Sequence, residues 1–330
     1  MSKTLMVSIP TVLLLAGVAL VRWERPASAQ GVTLDRSLLA LLPANATSLV
    51  GVDVERLKRT PAWRYWEEQS LRSNDTKFDE FTRETGFDPR RDVQELLVAS
   101  TGEKQYVAVA RGTFNVANLT RAMKAKNATV ENYRGLEVLG GEGKDQNGRF
   151  CFLDDKTVLA GTRPELLGAI DRKLGGGPSL TSNTSLLSRA QAISGTHQVW
   201  AVSSNPGQLV NRNLPRSGNA QASNFARIFS TMSDTSLALD LSGGLELRAQ
   251  GLCQSGQDAK TLADAVRGLV ALGRLSASEK EPEMMNVLDG IQVEERNNEL
   301  AIKVKLDQTG FEKLLEKRGS RRRPERAQLN

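Results

Sequence analysis

The sequence predicts an α+β fold of two similar halves, each with mostly antiparallel strands and hairpins and with helices packed on one face. Three observations carry this reading. Short segments of alternating apolar and polar residues recur along the chain. Helices with recognisable caps punctuate them. After a break at Gly175-Gly176-Gly177-Pro178, the order of the first part begins again.

In chain order, Leu38 to Leu42 lead to Pro43, and Thr47 to Val54 alternate as a strand. Thr60 before Pro61 is an N-cap with a first-turn proline, opening a helix through Trp63, Trp66 and Leu71. Phe78, Phe81 and Thr82 suggest a short helix before "GFDPRRD". Strands follow at "QELLVAS" and "QYVAVARG", and Asn115 caps a helix through Leu119 and Met123. Further strands fit "GLEVLG", "GRFCFLD" and "KTVLAGT", and a helix spans Pro164 to about Lys173.

Beyond the break, "THQVWAVS" reads as a strand, with helices near Gly207–Val210 and Ala222–Met232. A hairpin around Gly243-Gly244 joins two alternating strands. A helix from Asp258 to Leu275 carries Leu262, Val266, Leu269 and Val270 on one face. A second hairpin turns at Asn297-Asn298, and a last helix begins near Thr309. The expected organisation is a leader over 1–29, a first half over 30–174, a Gly/Pro/Ser-rich linker over 175–195, a second half over 196–317 and a basic disordered tail over 318–330.

An internal duplication explains the repeated order. Thr162-Arg163-Pro164-Glu165 and Thr309-Gly310-Phe311-Glu312 both have the form of a capping box, 147 residues apart, and the strands at Val52 and Trp200 are 148 apart. The geometry expected from it is two β-rich sheets related by pseudo-symmetry.

Residues 5–21, "LMVSIPTVLLLAGVALV", form an apolar run behind Lys3. Ala27-Ser28-Ala29 has the small-x-small form of a signal-peptidase site, placing cleavage after Ala29. Arg22, Glu24 and Arg25 stand between the run and the cut, so the alternative is an uncleaved inner-membrane anchor formed by residues 5–21. Either way the body is expected to be extracytoplasmic, periplasmic or secreted if cleaved.

The formal charge is +6, of which residues 1–29 hold +2 and residues 317–330 hold +5. The body between is near neutral and predicts no nucleic-acid face. Cys151 and Cys253 are the two cysteines, too few for a disulfide framework, and both stand in apolar strands. His197 is the one histidine, which excludes two-histidine zinc motifs and leaves any serine triad dependent on it. Gly143-Lys144 imitates a phosphate loop, but Val138 and Asp145 stand where such a loop needs glycine and a hydroxyl. No cofactor, metal site or catalytic residue is expected. Trp63, Tyr65 and Trp66 concentrate aromatics in a chain with only 5% of them, marking a candidate partner surface or a helix fixed to the sheet.

"LPANATSLVGVDVERLKRTPAW" and "KTVLAGTRPELLGAIDR" resemble the repeated phrases of uncharacterised bacterial exported proteins in domain-of-unknown-function families. The likeness covers most of 38–173 and, more faintly, 196–317. It implies an extracytoplasmic α+β fold and brings no catalytic residues. The functional expectation is a non-enzymatic envelope protein that binds a protein or polymer. The alternatives are a carrier or sensor of an apolar ligand held between sheet and helices, and a hydrolase with an unrecognised site.

Overall fold

Local capping sets where several helices of the first half start. In the computed structural model, which describes residues 34–72, 76–140, 148–206, 232–276 and 282–321, Asp35 caps α1 (Arg36–Leu39) through the Ser37 N–H at 2.8 Å. Strand β1 (Ser48–Asp53) ends on Asp53, which caps α2 (Val54–Leu57). Thr60 Oγ1 accepts from the Trp63 N–H at the start of α3 (Pro61–Arg72), as the Thr-Pro pair predicts. Next come α4 (Thr76–Thr85), α5 (Pro89–Asp92), β2 (Val93–Gly102), β3 (Gln105–Gly112) and α6 (Val116–Ala125), the last capped by Asn115. The half closes with β4 (Thr129–Tyr133), β5 (Leu136–Gly140), β6 (Gly148–Phe152), β7 (Thr157–Thr162) and α7 (Arg163–Lys173).

The segment read as a linker contains α8 (Thr184–Ser194), whose Leu186, Leu187, Ala190 and Ile193 are buried in the main core. Thr184, Ser185 and Ser188 are exposed, and they gave the segment the composition of a loop. The second half comprises β8 (Val199–Ser203), β9 (Met232–Asp240), β10 (Gly244–Cys253), α9 (Gly256–Ser276), α10 (Pro282–Asp289), β11 (Ile291–Arg296), β12 (Glu299–Asp307) and α11 (Gln308–Arg321). Helix α11 runs into the stretch read as a disordered tail, as far as Arg321. The apolar run 5–21, the Ala29 cut, the Gly143-Lys144 turn, the helices near Gly207–Val210 and Ala222–Met232, and the tail beyond Arg321 lie outside the described residues; Met232 itself opens β9.

One twelve-stranded sheet, not two sheets, holds both halves, in the order β11-β12-β10-β9-β8-β1-β2-β3-β7-β6-β5-β4. Each described pairing is antiparallel, and the seam between halves is β1 against β8. From that seam the strands run outward in matching order, β1-β2-β3-β7-β6 and β8-β9-β10-β12-β11, with the β5-β4 hairpin added on one side.

Strand alternation gives the sheet two faces, and both carry helices. Leu49, Leu97, Val109 and Leu159 pack on one side with α1, α7 and α8. Val52 and Leu306 pack on the other with Val54 and Leu57 of α2 and Phe311 of α11. Ala249, Leu300 and Ile302 bury Ala259, Leu262 and Ala263 of α9 on this second side. The expectation of helices on one face holds for α9, α10 and α11 of the second half. It fails for the first, where α2 and α7 lie on opposite faces. The helices after β7 and β12 also lie on opposite faces, so the halves match in strand order and not in helix placement.

Neither capping box forms. Thr162 Oγ1 donates to Gln105 Oε1 at 2.9 Å, and Glu165 accepts from Thr101 at 2.6 Å. At the second position Asp307 caps α11 through the Gly310 N–H. In the first motif both side chains bond to residues of neighbouring strands, and in the second Glu312 accepts from Gln308 at 2.9 Å while Asp307 takes the cap.

Candidate functional site

The aromatic cluster lies on the Val52 side. Pro61 and Thr60 start α3 so that Trp63 turns inward, half-buried against the cluster that holds Val54, Leu57 and Phe311. Trp66 is 43% exposed, and its ring stands 4.8 Å from that of Trp63 at an interplanar angle of 53°. Such a tilted pair is a favourable aromatic geometry and holds the outer indole in a defined pose. Tyr65 is half-buried on the same helix. The three residues read together from the sequence therefore take different roles, with Trp66 the most exposed.

Beside Trp63 opens a cleft of about 330 Å³ lined by Lys58, Glu67, Asp88, Arg90 and Arg91. Lys58 Nζ reaches Glu55 and the carbonyls of Arg91 and Val93. Arg90 grips Asp88 through two nitrogens, at 2.6 and 2.9 Å, and holds that carboxyl below its ordinary range despite partial burial. Arg91 pairs with Asp92 and donates to the Gly86 carbonyl. The cleft is thus an aromatic floor with a rim of fixed ion pairs, an arrangement suited to docking a surface rather than to moving protons.

A second apolar surface escaped the sequence reading. Helix α9 buries Leu262 and Val266 but leaves Leu269, Leu272 and Leu275 exposed, the last at 84%, and Met284 of α10 is exposed with them. The spacing of Leu269, Leu272 and Leu275 is three residues each, which drifts around a helix and leaves the buried face. That drift was the available signal. A cleft of about 550 Å³ also lies between Arg134 and the Gly175-Gly176-Gly177 turn, lined by Asp171 and Arg172.

His197 is buried, with Nδ1 2.9 Å from the Ile193 carbonyl oxygen and 2.8 Å from Thr196 Oγ1. Burial holds its basicity below the ordinary value, with the Arg248 charge acting in the same direction. Ser203 Oγ pairs with Ser48 Oγ at 2.8 Å across the seam. It stands six positions along the chain from His197, at the far end of β8, up to roughly 20 Å at 3.3 Å per extended residue. His197 and Ser203 therefore do not form a nucleophile–base pair. Among the described residues no cluster of metal-ligating side chains occurs, and no helix is long and apolar enough to cross a membrane.

No protein-family model matches the chain, and no curated protein matches it. Solved structures of TP0453 resemble it. Crystal form I gives a TM-score of 0.45 at 10% identity over 88% of this chain and 98% of that one. Crystal form III gives 0.46 at 11% over 87% and 99%. At this level of likeness nothing beyond the resemblance passes to this chain.

Proposed function

We propose that the chain is an exported, envelope-associated protein without catalytic activity that docks a protein or polymer partner on its Val52-side helical layer. The observation that carries this reading is Trp66, a large aromatic held exposed against the ring of Trp63, which itself lines a cleft rimmed by fixed charges. Tryptophan in such a setting is the residue type that most often concentrates binding energy. The apolar run 5–21 and the Ala27-Ser28-Ala29 triplet support export, with the partner then belonging to the envelope. The carrier reading meets a core in which Leu166, Ile170, Leu186 and Ala190 fill the space between sheet and helices.

Intact mass measurement on fractionated native cells tests the location. Protein beginning at Gln30 in an extracytoplasmic fraction, or full-length chain in the membrane fraction, is expected. Full-length chain in the cytosol alone overturns the proposal.

A further inference from the structure

Five charged residues meet at one end of the central strands, where the N-terminal part of the chain joins the body. Asp53, Glu95 and Arg111 are successive cross-strand neighbours on β1, β2 and β3. Arg111 forms an ion pair with Asp35, the cap of α1, and donates to Ser37 Oγ at 2.8 Å. On the other flank Arg56 Nε donates to Asp53 at 2.5 Å. Its remaining nitrogens reach the carbonyls of Ser194 and Gly195 at the end of α8.

Three carboxylates here share two guanidiniums. The pairs Asp35–Arg111 and Asp53–Arg56 are made, and Glu95 is the surplus. It is half-buried between Asp35 and Asp53. Burial first, then the charges of those two aspartates, push its carboxyl up, against the pull of Arg111.

We propose that Glu95 operates a proton-controlled clasp on α1: protonated, it lets Asp35 and Arg111 hold the helix to the sheet, and ionised, it weakens that hold. The sign follows from the neighbours. Lifting α1 moves Asp35 away from Glu95 and admits water to a half-buried charge, so both gains exist only when Glu95 is ionised. Opposing release is the burial of Leu38 and Leu39, which confines the effect to a local opening equilibrium rather than detachment. The clasp acts on α1, the first described helix of the chain, so its strength sets how firmly residues 34–42 are held to the sheet.

Hydrogen exchange followed by mass spectrometry on the full chain tests this, reading the segment 34–42 at about pH 7.5 and pH 5, normalised to intrinsic exchange. Segment 156–174 serves as an internal control. In the wild type, protection of 34–42 is expected to rise a few-fold at the lower pH while the control stays level. Glu95→Gln should show the higher protection at both pH values, and Asp35→Asn the lower protection at both. A wild-type segment that does not respond overturns the proposal. So does Glu95→Gln keeping the wild-type response, or a control segment that moves in step with 34–42.

Discussion

The indole of Trp200 occupies the space that a side chain on Gly51 would need. The two residues are cross-strand neighbours at the seam between β1 and β8, and a Cβ on Gly51 would lie 2.2 Å from the indole ring. Trp200 is buried there with Leu49 and Val202. The joint between the halves is therefore a large side chain seated over a missing one.

Gly51→Ala should cost about 3 kcal/mol, because the indole must leave its packed position. Trp200→Ala should cost about 3–5 kcal/mol. In the Trp200→Ala background the Gly51→Ala change should be far cheaper, with a coupling of about 1–3 kcal/mol. Urea unfolding of the four variants measures this, and additive effects would show that the two do not compete for space.

Trp63 and Trp66 should separate cleanly. Trp63→Ala removes a half-buried ring from the Val52-side core and should cost about 2–3 kcal/mol. Trp66→Ala should change stability by no more than about 0.5–1 kcal/mol, as exposed positions do. Thermal melts decide it, and equal losses would make Trp66 a structural residue.

His197 should make the fold sensitive to acid. Its basicity in the folded state lies below the ordinary value of 6.5, so the unfolded chain binds a proton more readily. Stability is then fully present above about pH 6.5 and declines as pH falls toward the folded value. Glu95 acts with the opposite sign: its folded carboxyl lies above the ordinary 4.5, so it destabilises the fold as pH rises from that ordinary value through the folded one. Unfolding free energies in a Glu95→Gln background isolate the histidine contribution. There, His197→Gln should flatten the profile between about pH 6.5 and 5.5, and an unchanged slope would contradict it.

Both cysteines should be inert in the native protein and unpaired. Cys151 is buried in the core of the first half and Cys253 in that of α9. Burial pushes the Cys151 thiol up to about 11, leaving almost no thiolate near neutral pH. Alkylation should modify neither until the protein is unfolded, and then both; a mass two hydrogens short before reduction would reveal a bridge.

Much of the fold was legible because most strands have one polar and one apolar face. Ile302, Val304 and Leu306 against Lys303, Lys305 and Asp307 show the pattern clearly. Strand β4 was missed because Thr129, Glu131 and Asn132 make an edge strand polar on both sides. Its turn, Arg134 and Gly135 with φ of 55° and 82°, was a hairpin signal not read as one. Helix α8 was missed because Asn183 caps it from within a Ser/Thr-rich stretch that imitates a loop. Face assignment was not legible at all, since which side of the sheet a helix covers depends on the path of the connecting chain. At the candidate site the Trp63–Trp66 pair was found from spacing, while the charged cleft was not, because Lys58 and Asp88–Arg91 join it only through the fold.

Site-specific photo-cross-linking in native cells tests the docking claim most directly. A photoreactive phenylalanine analogue would replace Trp66, with a second at Lys305, which is exposed on the opposite sheet face, as the control. A discrete envelope-localised adduct from position 66 and none from position 305 is the predicted result. No adduct at 66, or the same adducts from both positions, would contradict a partner surface built around Trp66.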